Sequence, residues 1–353
     1  MKSERPAIHV VGAGPAGLMA AEVLARSGAS VTVHERMPSV ARKLLMAGRG
    51  GLNLTHSEDL TAFGARYGAA AGEVAPWLDA FSPAELIAWA EGLGQPTFVG
   101  TSGRVFPRAM KASPLLRAWL ARLNDLGVEV RTRSRWTGWA EDGGLRFQTA
   151  DGERIETPDA VVLALGGASW PRLGSDGAWA DWMADVAPFR PANAGFDVAW
   201  SGTFVDRFAG QPLKSAAFTH ADRTVRGEAM IARYGIEGGA VYALSADLRD
   251  AIQRDGSAML TVDLRPDLSV PALSARLDGS RGKDSVTNWL RKAARLSPVA
   301  IGLLRDIPGE VPTGADKLAR RIKGVRLTLT GMQGLERAIS SAGGRASAPW
   351  TRV

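Results

Sequence analysis

The residues with the clearest chemistry are three glycines and an acid. Gly12, Gly14 and Gly17 stand at the spacing G-x-G-x-x-G, and Glu35 follows at close to the roughly 20 residues at which a ribose-binding carboxylate is expected. Gly12 allows a tight turn. Gly14 has no side chain, so backbone can approach a pyrophosphate. Gly17 lets a helix pack close to a strand. The loop through Ala13, Pro15 and Ala16 leads into a helix N-terminus, whose N–H groups and partial positive charge suit a diphosphate. Arg36 follows the acid directly.

Such a motif carries weight only if the right elements surround it. Ile8–Val11 is a short apolar run that reads as a buried parallel strand. The next helix carries Leu18, Ala21, Val23, Leu24 and Ala25 and runs to Ser27. Pro15 sits in its first turn, where a missing N–H costs nothing, and Gly28 ends it. A second β-branched strand, Ser30–His34, delivers Glu35. Strand, helix and acid together predict a dinucleotide site. This stretch leaves open whether the coenzyme is a flavin or a nicotinamide.

Two further glycine-rich places could meet the same ligand. Gly48-Arg49-Gly50-Gly51 could cradle an anion through exposed N–H groups, with Lys43 and Arg49 adding charge; a ligand-free flexible loop fits equally. Ala160–Leu165 is an unbroken apolar run that predicts another central parallel strand, and Gly166-Gly167 follows its carboxyl end, where open α/β sheets bind ligands.

At 353 residues the prior is about two domains with a large core. No apolar run approaches membrane-spanning length, and with the first strand expected within about seven residues of the start no signal peptide is expected. A cytoplasmic location with no membrane partner is expected. There is no cysteine, which excludes disulfides, thiol nucleophiles and a redox-active cysteine pair. The four histidines, His9, His34, His56 and His220, show no metal-ligand spacing, so no metal is expected. The net charge of +7 comes mostly from dispersed arginines, which favours a solvated basic surface over a nucleic-acid patch.

Helices are predicted at about 82–92, with Ser82, Pro83 and Glu85 as capping box, and from Ser113-Pro114 to Gly127 with a leucine and tryptophan stripe. A β-meander over about 135–156, with turns at Asp142-Gly143-Gly144 and Asp151-Gly152, precedes the strand at 160. A helix is expected after Gly174-Ser175-Asp176-Gly177. Strands are expected over 195–200, 213–220 and 224–233, a helix over 241–253, a strand over 258–264, and helices near 271–277, 283–296 and 315–323. Residues 325–329 and 335–341 read as strands returning to the nucleotide sheet.

Taken together, these segments resemble a known family. Gly12 to Gly17 with Leu18-Met19, Arg42-Lys43-Leu44 with the glycine loop to Asn53-Leu54-Thr55, Gly103 to Pro107, and Leu165-Gly166-Gly167 with Trp170-Pro171 carry the likeness. Gly174-Ser175, Gly227-Glu228 and Tyr234-Gly235 extend it. The chain looks like the bacterial NAD(P)/FAD-dependent oxidoreductases of the YhiN-like group, to which aminoacetone oxidase is related. The resemblance implies an α/β fold: a Rossmann-like FAD/NAD(P)-binding domain, with central parallel sheet and β-meander, and an inserted β-rich and helical domain. It implies FAD held without a covalent bond, a small-molecule substrate, and NAD(P)H as an electron donor. Gly12, Gly14, Glu35, Lys43, Gly48, Arg49, Gly50, Asn53, Gly166 and Gly167 would lie along the flavin nucleotide. Val130 would touch the adenine through its backbone, and Ala13, Pro15, Ala16, Gly17, Arg36, Thr55 and Ala164 complete the expected cofactor set.

The expected boundaries are 1–188 for the first part of the FAD domain, 189–324 for the inserted, substrate-facing domain, and 325–353 for the return. The family's cysteine in the glycine loop is Leu52 here, and the chain ends just after Gly343-Gly344, where the family's last FAD-contacting segment is expected. Three alternatives stand beside the FAD oxidoreductase: a truncated, inactive nucleotide-binding remnant, from the chain end; a nicotinamide-only dehydrogenase, from the Gly12–Glu35 unit; and a flavoprotein acting on nucleic acid, from charge alone. His56, Glu228 and Tyr234 are catalytic candidates by residue type alone, and none is singled out. Substrate and oligomeric state are not legible.

Overall fold

The computed structural model describes residues 5–48 and 50–345 and divides into two compact units. Among the described residues the first comprises 5–166 with 172–182, the second 167–171 with 183–345.

In the first unit β1 (Ala7–Val11) turns into α1 (Pro15–Arg26) and returns as β2 (Ser30–Glu35). Then come α2 (Arg42–Ala47), β3 (Thr55–His56), α3 (Leu60–Ala65), α4 (Ala71–Ala80) and α5 (Pro83–Glu91). Strands β4 (Thr97–Val99) and β5 (Arg104–Pro107) form a small sheet with β3. Helix α6 (Ala112–Asp125) leads to β6 (Glu129–Thr132). The meander β7 (Arg135–Trp139), β8 (Leu145–Thr149), β9 (Gly152–Glu156) ends in β10 (Ala160–Leu163).

The main sheet has the order β10-β1-β2-β6, and all its pairings are parallel. Val10 lies between Val162 and Val33, and Val33 pairs with Val130. Helix α1 covers it through Leu18 and Ala21, and α6 through Leu115, Trp119 and Leu123, all buried. Burial on both faces is why β1 reads as a nearly continuous apolar run, while β2 buries Thr32, His34 and Glu35 along with its valines. The capping box of α5 is formed as its sequence requires, Ser82 and Glu85 each accepting from the other's N–H.

The second unit opens with β11 (Val186–Asn193) and β12 (Phe196–Asp197), then α7 (Gly202–Phe208), β13 (Pro212–His220), β14 (Arg223–Ala232) and β15 (Gly235–Glu237). Helices α8 (Gly239–Ala243) and α9 (Ser245–Asp255) precede β16 (Ala258–Asp263). Four helices follow, α10 (Val270–Leu277), α11 (Val286–Ala293), α12 (Pro298–Asp306) and α13 (Ala315–Lys323), then β17 (Val325–Leu329) and β18 (Ser340–Arg345).

Strands β12-β15-β14-β13-β16-β17 lie side by side, and the ring closes. The Asp197 N–H donates to the Gly331 carbonyl at 2.9 Å, the Thr330 N–H to the Asp197 carbonyl at 3.2 Å, and the Gln333 N–H to the Gly195 carbonyl at 2.9 Å. Closure removes the sheet's open edges. Phe196, Phe218, Ile231, Leu260 and Leu327 fill the core. Ser269, Ser285 and Ser297 cap α10, α11 and α12, each accepting an N–H three residues on.

Several expectations are corrected here. Val325–Leu329 pairs with β16 and so belongs to the barrel, not to the nucleotide sheet. Its burial alternates residue by residue, the mark of a strand with one face to a core. Residues 335–339 are not strand; β18 begins at Ser340 and pairs with β11, whose Pro188 and Pro191 hid it from the sequence pattern. The helix expected after Gly177 is only a 3₁₀ turn, Ala178–Trp182. The helix expected over 241–253 is two, meeting at Leu244.

Candidate functional site

The tip of the first βαβ unit separates its glycines by task. Gly12 has φ +106°, and a Cβ there would stand 2.3 Å from the Ala164 carbonyl oxygen. A Cβ on Gly17 would stand 1.8 Å from the Gly12 oxygen and 3.2 Å from the Ala164 Cβ. These two glycines close the turn against the end of β10. Gly14 is different. It is the N-cap of α1, no side chain among the described residues caps it, and nothing lies within 4 Å of where its Cβ would stand. An uncapped helix N-terminus beside open space is a place for a ligand's negative charge.

Glu35 faces the same turn. Its Oε2 accepts from the Ala13 N–H at 3.1 Å and its Oε1 from the Met37 N–H at 2.8 Å. A carboxylate has about four acceptor positions, so roughly one remains on each oxygen. Two free acceptors match the paired hydroxyls of a ribose. The acid thus fixes the glycine loop and keeps capacity for a sugar.

A segment absent from the expected set braces this corner. Arg36 pairs with Asp176 at 2.7 Å, and Lys43 Nζ donates to the Ser175 carbonyl at 3.3 Å. Burial lowers the Lys43 ammonium below its usual range, and Asp176 opposes that shift. Ser175 Oγ donates to the Leu165 carbonyl at 2.7 Å and Trp179 Nε1 to the Gly166 carbonyl at 2.9 Å. Gly166 has φ +72°, and a Cβ there would stand 2.8 Å from Ser175 Oγ. The residues Gly174-Ser175-Asp176-Gly177 read from sequence as a helix cap. Their serine and acid instead tie the end of β10 to the residues after β2.

The remaining expected residues are more scattered. Val130 lies in β6 opposite Val33, and the Ala164 N–H donates to the Val11 carbonyl at 2.8 Å. Gly48 abuts α6, where a Cβ would stand 2.5 Å from the Ala112 Cβ, whereas Gly50 faces open space. Asn53 is exposed and Thr55 is buried in β3. Arg49 lies outside the described residues. Gly167 belongs to the second unit, where its Cβ would stand 2.8 Å from Ser341 Oγ.

The catalytic candidates by type have structural partners or none. His56 Nδ1 accepts from the Glu58 N–H at 3.2 Å, which leaves Nε2 to donate to the Ser102 carbonyl at 3.0 Å. Tyr234 donates to Glu237 beneath the guanidinium of Arg337; burial and that bond push its phenol up. Glu228 is exposed in β14. Among the described residues no group of three or more His, Asp or Glu side chains could hold a metal ion, and no helix is long and apolar enough to cross a membrane.

A parallel sheet whose first turn is a glycine loop tied to a half-saturated acid defines a dinucleotide-binding Rossmann protein, here joined to a separate six-stranded barrel unit. The chain belongs to the HI0933-like family. The model of the HI0933-like protein Rossmann domain matches residues 6–188, and that of its barrel and H2TH domain matches residues 190–340.

Among solved structures, a 3-ketosteroid-Δ4-(5α)-dehydrogenase from Rhodococcus jostii RHA1 is similar over 98% of this chain and 86% of its own, at 12% identity and a TM-score of 0.44. BexE, from BE-7585A biosynthesis, is similar over 63% of this chain at 18% identity and a TM-score of 0.34. CabE, an aromatic hydroxylase from angucycline biosynthesis, is similar over 62% at 20% identity and a TM-score of 0.32. The chain spans 43% of the length of BexE and 38% of CabE.

Proposed function

We propose that this chain is an FAD-dependent oxidoreductase of the YhiN-like kind, acting on a small molecule in the cytoplasm with NAD(P)H as electron donor. The observation that carries the reading is Glu35, bonded to two backbone amides with two acceptor positions left, beside the empty space at Gly14. Gly12, Ala13 and Gly14 with the first turn of α1, Pro15 to Gly17, would take the diphosphate, and Glu35 the ribose. The backbone of Val130 would meet the adenine. Arg36, Lys43, Gly48, Arg49, Gly50, Asn53, Thr55, Ala164, Gly166 and Gly167 complete the proposed set. The flavin would supply the hydride chemistry; the protein supplies binding, orientation and exclusion of water. We assign the substrate-facing role to the barrel unit.

The test is direct. Purified protein should carry flavin absorbance that denaturation releases, or take up added FAD at one per chain. Glu35→Ala should weaken FAD by at least about tenfold, the loss of one or two hydrogen bonds to a charged acceptor. Tight NADH binding by a protein that refuses FAD would replace this reading with a nicotinamide dehydrogenase. An unchanged FAD affinity in Glu35→Ala would remove the ribose assignment.

A further inference from the structure

The barrel unit carries an open cavity of about 260 Å³ that the dinucleotide reading does not use. Its floor is apolar, made by the buried Leu213, Leu264 and Leu296. Its rim is cationic, with Lys214, Arg265 and Arg295 all in the lining. Asp267 is the one acid among the described lining residues, and Arg226 already holds it at 2.9 Å.

Some cations of this unit are already neutralised by an acid. Lys292, Arg320 and Lys323 each pair with an aspartate. Lys214 and Arg295 have no side-chain partner among the described residues. Arg265 donates only Nη1, to the Arg295 carbonyl at 3.3 Å. That bond aligns one arginine with the turn that carries the other. Lys214 reaches the cavity from an irregularity in β13, where the pairing with β14 slips between Leu213 and Ala216. A bulge of this kind re-aims side chains. Three like charges lining one open hollow give it a positive potential that an anion would relieve.

We propose that this cavity binds a phosphoryl group, carried by a small phosphate monoester whose apolar part rests on the leucine floor. A dianion with several acceptor oxygens matches two guanidinium forks and an ammonium better than a carboxylate does.

The probes are inorganic phosphate and phenyl phosphate, titrated calorimetrically at constant ionic strength. Phenyl phosphate should bind more tightly than phosphate, with one saturable component. Lys214→Met with Arg295→Met should weaken that component by at least about tenfold, and Arg291→Met, an exposed cation outside the lining, should not. Both cavity positions are exposed, so the single variants serve if the double one fails to fold. Phosphate held at the start of α1 instead would be insensitive to these changes and would overturn the proposal. So would oligothymidylate binding that Arg291→Met weakens as much as the cavity variants do, since that marks a dispersed basic surface.

Discussion

Glu22, on α1, and Glu35, at the end of β2, are both nearly sealed from solvent, at 2% and 9% exposure. What differs is what remains on their oxygens. Glu22 Oε2 accepts from Trp119 Nε1 at 2.8 Å and Trp89 Nε1 at 3.1 Å. Its Oε1 accepts from Arg26 at 2.8 Å and Arg122 at 3.2 Å. Four donors fill the four positions of that carboxylate. Glu35 has two donors, both backbone. One acid is spent entirely on joining α1 to α5 and α6. The other holds the glycine loop and keeps half its capacity, which is how a binding group can be told from a structural one when both are buried.

The comparison breaks if removing Glu22 proves harmless to the fold. Glu22→Ala leaves two indole N–H groups and a largely buried guanidinium without their acceptor. Stripping one partner from a buried charged network costs about 3–5 kcal/mol. Chemical denaturation should show a loss of that order, and the protein that remains folded should bind FAD with its original affinity. A loss confined to FAD affinity would mean the two acids have been given each other's roles.

A second buried polar pair sharpens the point. His34 Nε2 meets His9 Nδ1 at 3.2 Å, its Nδ1 meets Ser134 Oγ at 2.9 Å, and its ring stacks on Phe147 at 3.9 Å. Burial lowers the His34 imidazole to about 3, helped by His9 and by the nearby Arg131 and Arg154, with Glu129 opposing. Burial also lowers His9, against Glu156 and Glu129. The folded protein therefore keeps His34 neutral while the unfolded chain takes up a proton below its ordinary value of 6.5. Its contribution is complete above that pH and is lost as pH falls toward 3. The slope for one such group is about 1.4 kcal/mol per pH unit. Denaturation series between pH 6 and 4 should show it, and His34→Gln should flatten it. An equal slope in the variant would place the acid sensitivity elsewhere.

How much of this was legible follows from the range over which each signal acts. The strand runs, the glycine spacing and Glu35 are local, and their context lay within one βαβ unit. Glu22 gave no sign, because a glutamate in a helix ordinarily faces solvent and its indole partner in α6 is 97 residues away. Its spacing from Leu18, one turn back on the buried face, was the available hint. The bracing role of Ser175 and Asp176 was hidden because Gly-Ser-Asp-Gly is also an ordinary helix start. The alternation in Val325–Leu329 was visible and already spoke for an antiparallel, one-sided strand.

The smallest expected change in stability is at Gly14, and it tests whether the open tip exists for a ligand. The backbone there has φ −79° and extended ψ, which alanine adopts without strain. Alanine is a poorer N-cap than glycine, while it reduces the freedom of the unfolded chain by about 0.4–1 kcal/mol. These effects oppose, so Gly14→Ala should leave the denaturation midpoint within about 0.5 kcal/mol of the parent. The new methyl would nevertheless stand in the empty space before α1, where a diphosphate must come close. FAD affinity should fall by at least about tenfold. Gly12 and Gly17 offer no such separation, since a Cβ on either meets backbone within 2.3 Å. A variant at Gly14 that melts early yet binds FAD normally would show that this glycine serves packing too, and the open tip would lose its meaning as a site.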